Sequence, residues 1–367
     1  MNYIKISTAQ ALMILISSIT VTGHLLFIPV ILNHSGRDGW ISVLLSFFSI
    51  IYIIYIITKL SLRYQGQTII EYAEIILGKY FGKILSLVLI FYFFHDGTLS
   101  IRGFGEFYTT EITPDAPILI YLTLIVILAV YTVRQGLEVL VRTNQFFLVV
   151  MVIIGITASM VTFPEKDYRN LLPILEFGIQ PVLMGALSLT SLFSTFVVAG
   201  MIFPYIYDPK SLKRFSLVTG IMLILLFLGP ITGPIAVYGG ERAVGFAFPT
   251  FQLLRDISIG DIQRLDLFGI LLWSMGSFSK ISLHLFATSL GIAKLFKLND
   301  YKPLIIPVGA LMIIVGLQNS ENFIEVYRFL KDVYPYYSTL IGILLPSILF
   351  LFSTIQMKSK KGSSQNV

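Results

Sequence analysis

Ionisable side chains occur inside two long apolar runs of this sequence, where a charge is costly unless it faces a protein interior or an aqueous cavity. In the run at 84–108, Arg102 and Glu106 are four residues apart and can form an ion pair on one helical face. Two interpretations of this pair remain open. It either couples its charge to a bound solute, or it is a structural pair that fastens the helix to its bundle.

A second pair of opposite charges is predicted between two different runs. Asp96 lies deeper in the same run, about 100° around a helix from His95. Lys280 lies in the run at 265–290, one helical turn before His284. We predict that Lys280 is the partner of Asp96, because a buried carboxylate requires an opposite charge. The lysine is then either a fixed counter-ion or a titratable group whose charge changes during activity.

Helix-breaking residues mark two further runs. The first contains TVTGHLLFIP, in which Gly23 lies in mid-run and Pro29 follows six residues later. Glycine lets the backbone leave helical geometry and proline removes a hydrogen-bond donor, so we expect a broken helix here. The other run, GALSLTSLFSTFVVAGMIFP, also contains glycine and proline. It has five hydroxyl residues within eight positions, namely Ser188, Thr190, Ser191, Ser194 and Thr195.

Such interrupted helices indicate a solute-binding site when they occupy corresponding positions in two halves of a transporter. Unwound backbone is tolerated beside a cavity, and half-helix N-termini can hold an anionic group. We predict that main-chain amides around Thr22, Gly23 and His24 bind such a group. The remaining ligand-binding candidates lie on the second broken run and on the charged run: Thr190, Ser191, Phe193, Ser194 and Asp96.

The elements that position these residues are membrane-spanning helices. Of the 367 residues, 56% are hydrophobic and only 13% are charged, with a mean hydropathy of +0.84, whereas soluble domains carry about 25% charged residues. The net charge of +6 is dispersed between apolar runs, which favours membrane-flanking charge over nucleic-acid binding. Ten runs approach the length of about 20 residues that a transmembrane helix needs: 9–33, 40–58, 84–108, 117–134, 143–163, 182–206, 215–238, 265–290, 302–318 and 338–357.

The distribution of basic residues predicts the orientation of these ten spans. If the N-terminus is cytoplasmic, 16 Lys and Arg residues fall in cytoplasmic segments and 8 in external ones, so both termini are expected inside, with 358–367 as a basic cytoplasmic tail. The segment 67–82 reads as a short amphipathic helix on the membrane surface. We expect one all-α domain over 1–367, divided five plus five into repeats at about 9–163 and 182–357.

Four segments together resemble a known family. They are TVTGHLLFIP followed by Asp38-Gly39-Trp40, IIEYAEIILGK at 69–79, the R-x-x-x-E of Arg102 and Glu106, and FPTF with IQRLDLFGILLW at 248–273. In order and spacing they resemble the B-subunit, or spore permease, family of nutrient germinant receptors, over nearly the whole chain. One departure is His24, where relatives often carry a small residue, and its imidazole would narrow the pocket.

The resemblance implies a LeuT-like five-plus-five fold of the amino acid–polyamine–organocation superfamily, with helices one and six broken. It also implies a sensor of small nutrients, often amino acids, in the inner membrane of endospores. Its partners would be an A-type membrane subunit and a C-type lipoprotein. In that fold the eighth helix lies against the first where sodium-dependent members hold a cation, so the Lys280 ammonium could take the place of that cation.

Other functions remain to be weighed against a nutrient sensor. One alternative is an autonomous proton-coupled amino-acid transporter, and another is a structural subunit with a vestigial pocket. An enzyme is not expected, because the sequence has no cysteine and no G-x-S-x-G, H-E-x-x-H, P-loop or C-x-x-C motif. The four histidines lack ligand spacing, so we expect neither a metal ion nor another cofactor.

Overall fold

Helices dominate the computed structural model, which describes residues 5–256 and 265–364. Residues 262–264 of the motif IQRLDLFGILLW and 365–367 of the predicted tail therefore lie outside the described residues. The α-helices are α1 Thr8–Thr22, α2 Ile28–Ser35, α3 Gly39–Arg63, α4 Ile69–Leu77, α5 Lys79–Phe107, α6 Ile118–Gln135, α7 Leu137–Val161, α8 Ile179–Ser194, α9 Ala199–Ile202, α10 Leu212–Tyr238, α11 Gly240–Val244, α12 Pro249–Asp256, α13 Asp266–Leu295, α14 Lys302–Gln318, α15 Phe323–Asp332, α16 Tyr334–Thr339 and α17 Leu345–Ser364.

Many of these helices are long and apolar enough to cross a membrane. Over the two described ranges there are eight such helical segments, or nine if α14 and α15, which meet at 96°, form one bent span. The first segment, Thr8–Arg63, has 56 residues and contains both predicted spans 9–33 and 40–58. Gly36, at a φ of 53°, and the 3-10 turn Gly36–Asp38 separate α2 from α3 inside it. The number of ten spans stays a prediction.

Three segments form the enclosed centre of the bundle. In their most apolar windows, 67% of residues are buried for the segment containing α5, 78% for α8 with α9, and 72% for α13, against 33% for α6 and for α7. Helix α13 packs against α5 and α1, and α8 packs against α2, α3 and α16. The charged run and the hydroxyl-rich run therefore lie in the protein interior, as polar groups at membrane depth require.

The first predicted span is continuous rather than unwound. A π-helical segment, Gly23–Phe27, joins α1 to α2, and the Gly23 amide donates to the carbonyl oxygens of Ile19 and Thr20. Glycine at this position produces a π-bulge, a feature often found at functional sites, instead of a gap between half-helices. The expectation of free main-chain amides is therefore corrected at Gly23.

The sixth span leaves α-helical geometry at the end of its hydroxyl-rich stretch. Helix α8 ends at Ser194, and the chain continues as a 3-10 turn over Thr195–Val198, then α9, and then a second 3-10 turn over Phe203–Tyr205. The Thr195 amide donates to the oxygens of Leu192 and Phe193. Because the Thr195 amide bonds to these two oxygens, the Ser191 carbonyl oxygen lacks its usual α-helical hydrogen bond from the amide four residues later.

Two connecting helices differ from the sequence expectation. The amphipathic helix is shorter than 67–82, because Gly78 takes a φ of 79° and ends α4, and Phe81 instead belongs to α5 and is 73% exposed. The segment between spans nine and ten, expected as an external loop, contains α15 and the start of α16, which continues into the predicted tenth span. Tyr334 of α16 is buried in the bundle, so this segment contributes directly to the core.

Candidate functional site

Asp96 lies at the centre of a buried polar cluster formed by α5, α13 and α16. Its Oδ2 atom is 3.0 Å from Lys280 Nζ and 2.8 Å from His284 Nε2. The Tyr334 hydroxyl donates to Asp96 Oδ1 at 2.6 Å. All four side chains are almost completely buried. The predicted contact between Asp96 and Lys280 is therefore present, and it joins the third span to the eighth.

His284 adds a second basic group beside Asp96. Its Nδ1 atom lies 3.0 Å from the carbonyl oxygen of Lys280, which can only accept, so this geometry favours a hydrogen on Nδ1. Its Nε2 atom lies 2.8 Å from Asp96 Oδ2. The cluster thus combines one carboxyl group with two basic groups.

Ser338 of α16 connects this cluster to the irregular part of the sixth span. It lies one helical turn after Tyr334, and its hydroxyl donates to the carbonyl oxygen of Ser191 at 2.7 Å. The Ser194 hydroxyl is 2.8 Å from Ser338 Oγ, and the Tyr92 hydroxyl of α5 is 2.5 Å from it. Tyr334 and Ser338 therefore bridge the charges of spans three and eight to the end of α8.

An aromatic side chain fills the space beside Gly23. A Cβ atom at Gly23 would lie 2.1 Å from the Phe227 ring of α10, so only glycine fits. Phe227 makes edge-to-face contacts with His24 and with Phe193, at ring-centroid distances of 5.2 Å and 5.5 Å. His24 Nε2 is 2.9 Å from the carbonyl oxygen of Leu226. Two predicted ligand residues, one on span one and one on span six, thus contact Phe227. Thr22 is buried in the last turn of α1.

The predicted hydroxyl residues of span six do not all face one site. Ser191 and Ser194 donate to main-chain oxygens one turn back, and both contact α16 through Ser338. Thr190 points the other way and donates to Ser49 Oγ of α3 at 2.9 Å. The structure therefore groups Asp96, Ser191 and Ser194 through α16, and it places Thr190 apart from them.

Arg102 and Glu106 form the predicted pair inside α5. Arg102 Nε donates to Glu106 Oε1 at 2.8 Å, and Nη1 donates to the carbonyl oxygen of Leu317 in α14 at 3.0 Å. Both side chains are buried. Because the guanidinium also satisfies a carbonyl near the end of α14, this geometry favours the structural interpretation, in which the pair fastens span three to span nine.

Sequence reasoning missed three residues that complete these contacts. Tyr334 falls just before the predicted span 338–357 and Ser338 at its first residue, and their spacing of four residues puts them on one helical face. Phe227 is one of 29 phenylalanines in an apolar run, and no local signal distinguishes it. Its position beside Gly23 depends on how α10 packs against α1.

Comparisons with known proteins show which family the chain belongs to. The family described as "Spore germination protein" (Spore_permease) matches residues 5–324. Similar proteins include spore germination protein KB of Bacillus subtilis strain 168, 29% identical over 90% of each chain. Spore germination protein XB of Bacillus anthracis is 28% identical over 96% of this chain and 98% of its own.

The fold has a counterpart among solved structures. The crystal structure of MhsT in complex with L-phenylalanine superposes with a TM-score of 0.70 at 14% identity, and the match covers 93% of this chain and 89% of MhsT. At that identity the likeness shows the fold alone. Together with the apolar helices and the family match, it shows that this chain is an integral membrane protein of LeuT-like fold that belongs to the spore germination protein (spore permease) family.

Proposed function

We propose that this protein is the nutrient-sensing, permease-like subunit of a spore germinant receptor. A small germinant, such as an amino acid, binds between spans one and six, and an A-type membrane subunit and a C-type lipoprotein respond to the change. The protein resides in the spore inner membrane with both termini in the cytoplasm. Membership of the spore germination protein family and the fold shared with MhsT, solved with L-phenylalanine, support this proposal.

The bridge from Asp96 to the end of α8 is the observation that carries the proposal. Two hydroxyl groups on one face of α16, those of Tyr334 and Ser338, hold the charge cluster and the Ser191 carbonyl in one network. A movement of span six therefore changes the hydrogen bonds of the charged residues on spans three and eight. Through this network, ligand binding at span six can change the contacts of spans three and eight.

Ligand entry at this site requires a rearrangement around Phe227. The ring occupies the space beside Gly23 and contacts both His24 and Phe193. A germinant that binds between spans one and six displaces this ring, and the state with the ring displaced becomes populated. The size of that shift cannot exceed the difference in ligand affinity between the two states.

The cluster also favours a zwitterionic or otherwise polar ligand. Asp96 offers a negative group and Lys280 a positive one, and Lys280 Nζ and His284 Nε2 each lie within 3.0 Å of Asp96 Oδ2. An amino acid also carries one negative and one positive charge. The proposal is therefore that ligand binding and the ion pairing of this cluster depend on each other.

A germination screen with single nutrients on spores that carry only this receptor set tests the proposal. We expect at least one nutrient to trigger germination, and Ser338→Ala to raise the half-effective concentration by about tenfold, the effect of about 1.4 kcal/mol. Ser347→Ala, on the next helix of the same span, is the matched control. An unchanged dose–response curve for a normally abundant Ser338→Ala protein contradicts the proposed link. Solute flux by the purified protein alone in liposomes would instead support the autonomous transporter.

A further inference from the structure

A cavity of about 290 Å³ lies on the side of α1 that faces α7 and α10. Parts of α12 and α13 complete its wall. Of the residues at the proposed nutrient site it includes His24, while Asp96, Phe193 and Ser338 are not among its lining residues. Its wall contains Ile156 of α7 and Leu225 of α10, which are 56% and 62% exposed, so it opens sideways towards the lipid-facing surface.

The apolar wall of this cavity contains polar atoms without hydrogen-bond partners in the described protein. They are Ser17 Oγ, Thr20 Oγ1, Thr250 Oγ1 and Trp273 Nε1. Ser17, Thr20 and Trp273 are each at least nine-tenths buried. Buried polar groups are normally paired, and the indole N–H can only donate. A ligand in the cavity would therefore need a hydrogen-bond acceptor.

Among the described residues, one cation that lines the cavity has no counter-ion. Lys166 follows the end of α7, and no carboxylate of the described residues lies within salt-bridge distance of its ammonium group. Its Nζ atom lies 3.5 Å from the carbonyl oxygen of Ser159. Partial burial lowers the pKa of Lys166. The described part of the wall thus supplies positive charge and no negative charge.

We infer that this cavity binds a small single-chain amphiphile with a carboxylate head, such as a medium-chain fatty acid. The apolar wall takes the chain, while Lys166 and the Trp273 N–H, both donors only, take the carboxylate. A volume near the lower limit of about 300 Å³ for ligand pockets suits one chain rather than a two-chain phospholipid. The sideways opening admits such a ligand from the bilayer, and its contact with α1 places it beside the π-bulge at Gly23.

Two glycines in the wall make the inference testable without disturbing the fold. A Cβ atom added at Gly155 of α7 or at Gly229 of α10 meets no heavy atom within 4 Å. Leucine at either position therefore extends into open space in the cavity. Val149→Leu is the matched control, because Val149 is on the same helix, 53% exposed and not part of the wall.

The experiment uses the fluorescence of Trp273. The chain has two tryptophans, so a Trp40→Phe background leaves Trp273 as the single reporter. The purified full-length protein in lipid nanodiscs is titrated with 2-bromoundecanoic acid, whose bromine lies beside the carboxylate and quenches indole on contact. We expect saturable quenching, with affinity about tenfold or more weaker in Gly155→Leu and in Gly229→Leu and unchanged in Val149→Leu.

Two further titrations test whether the ligand's head group is a carboxylate and whether the ligand is a single-chain amphiphile or a phospholipid. Lys166→Gln should weaken binding of the acid by about tenfold but leave binding of 2-bromoundecanol unaffected. Equal effects on both compounds contradict the carboxylate assignment. Quenching that does not saturate, affinity in the two leucine variants equal to that of the parent protein, or equal quenching by a brominated phospholipid overturns the inference.

Discussion

Asp96 Oδ2 on α5 lies 3.0 Å from Lys280 Nζ on α13, and both side chains are nearly inaccessible to solvent. Their contact joins spans three and eight, as the sequence predicted. His284, one turn further along α13, lies 2.8 Å from the same carboxylate oxygen. A charge in this position is stable only while its partners remain. Removal of one partner leaves the other buried charge unpaired and therefore destabilises the protein.

We expect Lys280→Met to lower the free energy of unfolding by about 3–5 kcal/mol, because it leaves the Asp96 carboxylate without its lysine partner. Thermal unfolding of the purified protein measures this loss. Asp96→Asn in the same background should recover part of it. Lys294→Met is the matched control, since the Lys294–Glu71 pair is 32% and 31% exposed and exposed pairs contribute about 0–1 kcal/mol. Strictly additive losses in the double variant would show that Asp96 and Lys280 act independently.

Removal of the Tyr334 hydroxyl should destabilise the protein by about 1–3 kcal/mol, the cost of an unsatisfied buried acceptor. Tyr334→Phe keeps the ring against Phe27 and deletes only the 2.6 Å hydrogen bond to Asp96. The control is Tyr336→Phe on the same helix, where the side chain is 58% exposed. Equal melting temperatures for the two variants would exclude a contribution from the Tyr334 bond.

A methyl group at Gly23 should disturb the contact between α1 and α10. Gly23→Ala places a carbon 2.1 Å from the Phe227 ring, and overpacking of this kind typically costs about 1–3 kcal/mol. Phe227→Leu in the same background makes room and should restore part of the stability. Gly155→Ala, where the added carbon meets open space, is expected to be neutral or stabilising by up to about 1 kcal/mol. If Phe227→Leu gives no rescue in a thermal unfolding assay, the close approach is not the cause.

The Arg102–Glu106 pair should affect stability rather than ligand response. Arg102→Met removes the charge partner of Glu106 and the hydrogen bond to Leu317, so we expect a loss of about 3–5 kcal/mol. The matched control is Arg142→Met, which breaks another Arg–Glu pair of the same spacing whose side chains are 68% and 45% exposed. Spores with reduced amounts of the Arg102→Met protein should keep the same half-effective nutrient concentration. A changed concentration would assign the pair to ligand coupling.

Charge pairing was predictable from the sequence because the physical requirement is strong and the candidates are few. Asp96 and Lys280 are ionisable groups deep in apolar runs, so their contact follows from the cost of an unpaired charge. Arg102 and Glu106 follow from helical spacing. The membrane class and the family could also be predicted from composition and ordered motifs.

Contacts that depend on packing between distant helices could not be predicted. Gly23 was expected to open the backbone, but hydrogen bonds of the π-helical segment close it and Phe227 fills the space beside it. Tyr334 lies in a segment expected as a loop, and Ser338 is the first residue of the predicted tenth span. Their partners, Asp96 and Ser191, are more than 140 residues away in the chain, and no local pattern encodes such a distance.

Binding of the active nutrient to the purified protein tests the central claim most directly. The nutrient that triggers spores with this receptor set is titrated into the full-length protein by isothermal calorimetry. Saturable binding to the wild type is expected, weakened by about tenfold or more in Gly23→Ala and unchanged in Lys166→Gln, which lies at the separate cavity. The absence of binding to the wild-type protein, or equal affinity in Gly23→Ala, would contradict a nutrient site between spans one and six.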